Sequence, residues 1–516
     1  MGLLARTRQA FRTFGALARA ATTLLASGTL YQSAGSGYRF RGWSAPTYGP
    51  TASIVLAGDT LRNRSRAEAR NNAWARNLLL TLTTNIAGTG FTPHPLFGSG
   101  DTGSAAEASA RWVRDARMKF RRWAHGADID GRNFDDAMWT AVYGMVEAGE
   151  TFLLRVQGES AGVPLQLRVV EAEMVPLWKN ETLENGHEIR AGIEFDVQDQ
   201  VVAYWMFPSH PGEFTLRRPI MSVDLVRIDA ANVIHLFRRT RPGQVRGEPW
   251  LAPVILRLHD LGGYADAEVV RKKGAANFLF KIEAPDPNNV SQAIGKLHDD
   301  NAEKGEVDVK PGTTVVTAVG ETFDIVSPTD VGPNFAAFFV QILREVCAGP
   351  GVPYALATGD MSQETYTSHR AALLEFWRRC DAVQCNVLVP CLRRLWAWWL
   401  EDAVASGVVV AARFTAWRED YLDCDWMPPK RDWIDPQKEV GATGDALELG
   451  ITSKTRVCAA LGEDYADILR ERIAEAVMER EAARAAGVEL PTAQPRPARP
   501  VTPDEPRPMP RTGTDG

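Results

Sequence analysis

Paired acids are what metal-dependent phosphate chemistry needs. Asp128 and Asp130, and again Asp423 and Asp425, stand in Asp-x-Asp spacing that could in principle hold Mg²⁺. Nothing near either pair completes an oxygen cage, so both read as surface turns. His187 and Glu188 are followed by Ile189, Arg190 and Ala191, which is not HExxH, the spacing that sets two zinc-binding imidazoles on one helix face. No GxSxG elbow exposes a serine nucleophile. No GxxxxGK[ST] loop cradles nucleotide phosphates, which disfavours an ATPase. Arg271, Lys272 and Lys273 form a compact basic triplet, but Asp260, Asp266 and Glu268 flank it, and it reads as a solvated helix face. His235, inside the strand-like run NVIHLF, reads as a satisfied core histidine. The six cysteines contain no CxxC pair and read as reduced core thiols. One acidic stretch remains: Asp360, Met361, Ser362, Gln363, Glu364 and Thr365, lying between two helical patterns.

The elements around these residues follow from periodicity. Thr60–Leu82 predicts a charged helix that turns apolar at Leu78 and breaks at Gly88 and Gly90. Ala105–Ala124 and the stretch after Asp135 predict two more. After Gly149 the runs Thr151–Val156, Leu165–Val170, Ile193–Phe195, Val201–Phe207 and Asn232–Phe237 are strand-like. Pro249–Asn277 predicts a long helix, with proline tolerated in its first turn. Proline-bounded residues Glu283–Pro328 predict a small α/β unit: a helix at Val290–Ala302 and paired strands at Thr313–Val319 and Thr322–Val326. A helix from near Asn334 stops at Gly349, Pro350, Gly351 and Pro353. The chain cannot continue helically through that sequence, so Tyr354–Thr367 should project as a short mobile segment. Ser368–Leu400 predicts a very apolar helix kinked at Pro390, Arg418–Pro436 short elements, and Glu463–Ala486 a charged terminal helix.

With 516 residues, 45% of them apolar and 24% charged, the chain exceeds one compact core, and two or three folding units are expected. Its formal charge of −6 argues against a tight grip on nucleic acid, which needs clustered Lys and Arg. No window supplies the roughly 20 strongly apolar residues of a membrane span. The first acidic residue is Asp59, after an Arg-rich start that could mimic a transit peptide and is read as a mobile basic arm. Beyond Val488 proline density precludes a packed core, so that tail is expected to be disordered.

Several segments resemble the lambda-type phage portal family, in that family's order: LRNRSRAEARNN (Leu61–Asn72) with NIAGTGF (Asn85–Phe91); VIHLFRRTRPGQVRGEPWLAPVILRL (Val233–Leu258); GVPYALATGDMSQETYTSHRAALLEF (Gly351–Phe376); and WIDPQKE (Trp433–Glu439). The second is the most specific, because RPGQVRGEPWLAP is a long irregular string with no generic structural cause. One departure stands out: where the family has an Asn-Tyr-Ser-Ser-like stretch before its Arg, this chain has Glu364, Thr365, Tyr366, Thr367, Ser368 and His369 before Arg370.

The resemblance implies a mixed α/β portal fold: a basic N-terminal arm (1–58), a wing of helices then sheet (59–248), stem helices (249–280 and 330–348), a clip between them (281–329), a tunnel loop (349–367), a long helix and wing return (368–441), a helical crown (442–487) and the tail (488–516). It implies a ring of twelve subunits at one capsid vertex of the virion, assembled in the bacterial cytoplasm. Double-stranded DNA passes through such a ring, the terminase and head-completion proteins dock on the clip, and capsid and scaffold meet the wing. Asp360 to Thr365 would then face the channel. No catalytic residue, cofactor, metal or membrane role is implied. The acidic balance suits a conduit, since a channel that bound phosphate tightly would stall its cargo. Two other readings belong to different classes: a metal-dependent phage DNA-processing enzyme, which would need a carboxylate cluster, and a structural capsid or adaptor protein without a channel.

Overall fold

The computed structural model describes residues 46–213, 225–276, 280–283, 322–325, 334–431 and 435–488. Most of the expected arm, most of the clip, including its helix and the run 313–319, and the tail after Val488 lie outside the described residues.

The first helical stretch is two helices, α1 (Pro50–Asn71) and α2 (Ala73–Ile86). Asn72 divides them: its backbone is extended and its side-chain oxygen accepts from the Trp74 and Ala75 amides at 3.0 and 3.3 Å, an N-cap in mid-pattern. Helix α2 buries Leu78, Leu79, Leu82 and Ile86 and stops before Gly88 and Gly90, whose φ values of +51° and +111° favour glycine.

Helices α3 (Gly103–Ala124) and α4 (Phe134–Ala148) meet the distant helix α9 (Val389–Ala405) in an aromatic core. Phe120 lies 5.2–5.7 Å, centroid to centroid, from Phe134, Trp396, Trp399, Trp426 and Trp123. Trp123, Trp396 and Trp399 are fully buried, and the Trp123 indole donates to the Leu165 carbonyl at 2.8 Å, so a large apolar surface is buried with that polar handle satisfied.

Strand β2 (Glu150–Val156) is central in a three-stranded sheet, antiparallel to β3 (Gln166–Glu171) and β9 (Val233–Phe237). A second antiparallel sheet runs in sequence order through β4 (Glu181–Thr182), β5 (Glu188–Arg190), β6 (Ile193–Phe195), β7 (Val201–Met206) and β8 (Val226–Asp229). The two share a core of Phe152, Val170, Met174, Ile193, Tyr204 and Val233. Strand β1 (Thr92–Pro95) pairs with β12 (Cys424–Met427), so the chain returns after more than three hundred residues to the place it left.

The long helix α5 spans Ile255–Ala276; the expected start after Pro249 is irregular turns through Val254. It packs on α6 (Asn334–Ala348), with Tyr264 stacked on Phe335 at 5.4 Å. Between them β10 (Phe280–Glu283) pairs antiparallel with β11 (Thr322–Ile325), which brings the ends of the intervening insert together.

After a short helix α7 (Tyr354–Thr358) comes α8 (Tyr366–Val383), joined to α9 by a π-helical turn, Gln384–Leu388. The buried positions step through Phe376, Cys380, Gln384, Leu388, Leu392, Leu395 and Trp399. The single wide turn sits just before Pro390, where an α-helical hydrogen bond is lost in any case. Cys385 on this turn is exposed, which corrects the expectation that every thiol is core; Cys347, Cys380 and Cys424 are buried, and all six are free. A short helix α10 (Arg418–Leu422) precedes β12. Last come α11 (Pro436–Glu448), α12 (Lys454–Ala460) and α13 (Tyr465–Ala486).

Candidate functional site

Helix α6 ends as its sequence requires. The Gly351 and Val352 amides both turn back to the Cys347 carbonyl, at 3.1 and 3.0 Å, and Gly351 has φ +79°, a glycine C-terminus. The next residues are more ordered than a projecting loop. Ala355 and Ala357 in α7 are buried, and Asn77 of α2 donates to the Ala357 carbonyl at 2.6 Å. Helix α7 stops at Gly359, φ +74°. The exposed part of the segment therefore runs from Gly359 to Ser368, with Asp360 and Glu364 only partly exposed.

Each expected residue has a definite place in this tip. The Asp360 carboxylate accepts from the Ser362 amide at 3.0 Å and faces the Tyr354 hydroxyl at 3.4 Å. Ser362, through side chain and backbone, holds the Asp360 carboxyl below its ordinary range, so the group is ionised at neutral pH. Met361 is about half exposed (48%) and Gln363 points outward. Glu364 meets the His369 ring at 2.5 Å, so one of the two acids has a basic neighbour. Thr365 caps α8: its hydroxyl accepts from the Ser368 amide at 3.3 Å, and Ser368 Oγ accepts from the Thr365 amide at 2.9 Å, a reciprocal capping box. The tip thus offers carboxylates and an amide on a fixed base.

A cavity of about 720 Å³ lies under the root of this segment, lined by Gly349–Gly351, Trp250, Phe376, Val387 and three arginines, Arg238, Arg239 and Arg379. The Arg238 guanidinium covers the Trp250 ring at 4.2 Å. No carboxylate is among the lining residues.

The irregular string at 241–253 has a structural cause after all. Arg246 is completely buried and donates through Nε to Glu150 at 2.8 Å and through Nη2 to the Ala172 and Val175 carbonyls at 3.2 and 2.9 Å. The fully buried Glu150 also receives Arg62, the Gly247 amide at 2.8 Å and His235 at 2.9 Å. Burial alone would raise the Glu150 carboxyl, yet Arg246, Arg62 and His235 hold it well below the usual range. Burial lowers His235 despite that contact. Gly247 and Gly149 touch backbone to backbone, with no room for a Cβ. Sequence reasoning found the string and the core histidine but missed Glu150 and Arg62; an arginine between a valine and Gly-Glu-Pro was the available signal.

The acid pairs considered for metal are not both surface turns: Asp128 is fully buried, and Asp425 lies in β12. Asp128 meets Arg132 at 2.6 Å and Asp425 meets Arg393 at 2.8 Å. Among the described residues Glu171, Glu173 and His210 bring ligand atoms within 4.8 Å of one another, but Arg66 already donates to both Glu173 oxygens at 2.7 and 2.9 Å. Arg271 and Lys272 of the basic triplet face Glu268 at 2.6 and 3.8 Å. Among the described residues no helix is long and apolar enough to cross a membrane.

Residues 36–384 match the phage portal protein, lambda family. This chain belongs to that family. Its function is that of a phage portal. It is 25% identical over 441 residues to the probable portal protein of Halomonas phage phiHAP-1, covering 83% of this chain and 82% of that one. To portal protein B of Escherichia phage lambda it is 24% identical over 494 residues, covering 89% and 91%. Among solved structures, a chain from the neck of a native GTA particle computed with C12 symmetry matches at 14% identity and TM-score 0.42, covering 81% of this portal chain and 95% of that chain.

Proposed function

We propose that this portal protein acts without catalysis as one subunit of a closed ring, of twelve copies, at a single vertex of the virion. Double-stranded DNA enters and leaves through the ring, and Gly359–Thr365 lines the passage. What supports the reading is the acidic tip: Asp360 and Glu364 sit on an exposed turn whose two ends are pinned, by α7 against α2 and by the Thr365–Ser368 cap. Copies repeated around a ring present carboxylates to phosphate and favour sliding over gripping. Helices α5 and α6 serve as the stem, and residues 281–329 as a clip that receives the terminase and then head-completion proteins. The two-sheet wing faces capsid and scaffold, residues 442–487 form the crown, and the ring is assembled in the host cytoplasm.

The test is to replace Asp360–Glu364 by an uncharged Gly/Ser segment of equal length, image purified rings by negative stain, and measure packaging and retention of DNA in heads. Intact rings with impaired packaging or retention are expected. Normal packaging and retention would overturn the channel assignment, and loss of rings would place the segment at the subunit interface instead.

A further inference from the structure

The last three helices present an anomaly. From Asp435 to Val488 not one described residue is buried. Helices in proteins gain most of their stability from packing an apolar face, and these have a face to pack. On α13, Leu469, Ile473 and Val477 are 40%, 56% and 47% exposed. They lie four residues apart, hence on one stripe.

Charge on α13 is biased by side, although Arg472 interrupts the acidic face and Glu481 lies three residues before Arg484. Arg480 and Arg484 continue the stripe toward the C-terminus, whereas Glu471, Glu475 and Glu479 form a row on the opposite face, beside Met478, which is 60% exposed. Among the described residues none of these five charges makes an ion pair. Like charges four apart on one helix repel, and Arg472 and Glu481 offset this only in part, so each row would be relieved by the other row on a second helix. Opposite faces of one helix cannot meet within a chain. They can meet between copies, and a closed ring needs that kind of heterologous contact between two different, complementary patches.

We infer that α13 is a subunit interface: the face bearing Leu469, Ile473, Val477, Arg480 and Arg484 packs against the Glu471, Glu475, Met478 and Glu479 face of α13 in the next copy. The first turn is already aimed, because Asp464 is held by Arg117 at 2.8 Å and Arg117 also reaches Asp467 at 3.0 Å. The inference rests on the ring proposed above.

Cysteine pairing tests it. Ile473 and Glu475 are two residues and so about 200° apart around the axis, too far for a disulfide within one helix. Purified rings of Ile473→Cys/Glu475→Cys should oxidise to a ladder of covalent multimers, while each single variant gives only the background of the native thiols. In a second measurement Arg480→Glu/Arg484→Glu should lose the protease protection of residues 435–488 in the ring, and adding Glu475→Arg/Glu479→Arg should restore it. Rings that give no ladder, and a charge reversal that leaves protection unchanged, would overturn the interface while leaving the portal reading intact. An unsubstituted chain that forms no ring by negative stain would overturn the ring and this interface with it.

Discussion

Residues 73–431 and residues 435–488 solve the folding problem in different ways. The first region hides six tryptophans, a web of aromatic contacts and a buried ionic node at Glu150. The second has well-formed, well-capped helices, with Asp435, Ser453 and Asp464 each accepting a hydrogen bond at a helix start, yet buries nothing. Caps contribute about 1 kcal/mol each, whereas a core side chain contributes about 2–5 kcal/mol by truncation. Local signals therefore suffice to draw the terminal helices, while no described residue covers their apolar stripe. The body has a core of its own, and on the interface inferred above the terminal region finds its core in the next copy.

The largest expected effect is at the ionic node. Glu150→Ala strands the buried Arg246 without its counter-charge, leaves Arg62 with only Asp59 at 3.6 Å, and should cost about 3–5 kcal/mol, read as a lower urea midpoint of the body transition. A midpoint near that of the unsubstituted protein would show that the node does not hold the body together. The same node predicts acid lability. Glu150 and His235 both titrate lower in the folded protein than in the unfolded chain. Their stabilisation is complete above the unfolded values, about 6.5 for His and 4.3 for Glu, and fades as pH falls below each. The body midpoint should thus fall below about pH 6.5 as His235 is protonated and fall further below about pH 4.3 as Glu150 is, and His235→Gln should flatten the upper part of that decline.

Next in size, Leu395→Ala, fully buried, should cost the body about 2–5 kcal/mol. Arg117→Ala breaks the tether to Asp464 and Asp467, both carboxylates being partly shielded. It should speed proteolysis within 435–488 and leave the body midpoint within about 1 kcal/mol of the original. Least of all, Leu469→Ala, the same chemical change as in the core, should shift the isolated subunit by no more than about 0.5 kcal/mol. A large loss there would mean that the terminal helices already have an intramolecular core.

Legibility divides along similar lines. Gly349, Pro350, Gly351 and Pro353 end α6 by local chemistry, so the break was readable, as was the apolar spacing of Phe335, Phe339, Ile342 and Val346. Asn72 was not, because asparagine in a helical pattern becomes a cap only if the backbone turns there, which packing decides. Neither was α7: Ala-Leu-Ala-Thr is too short for periodicity, and its helix depends on burial against α2. For the acidic tip, sequence located Asp360–Thr365 between two helices but not the Glu364–His369 contact or the capping role of Thr365. The string around Arg246 was recognisable as unusual, but its cause lies in a strand 96 residues away, beyond any local pattern.

The wide turn at Gln384–Leu388 acts on phase. An ideal helix advances about 100° per residue, so one residue more or fewer there would rotate everything beyond it by that angle. Trp396 and Trp399 would then swing away from Phe120, and the polar back of α9 would face the core. The turn is a vernier that keeps the two halves of one long rod in step with different surroundings. A single-residue change in length should therefore be damaging both in the turn and from Val389 up to Trp396.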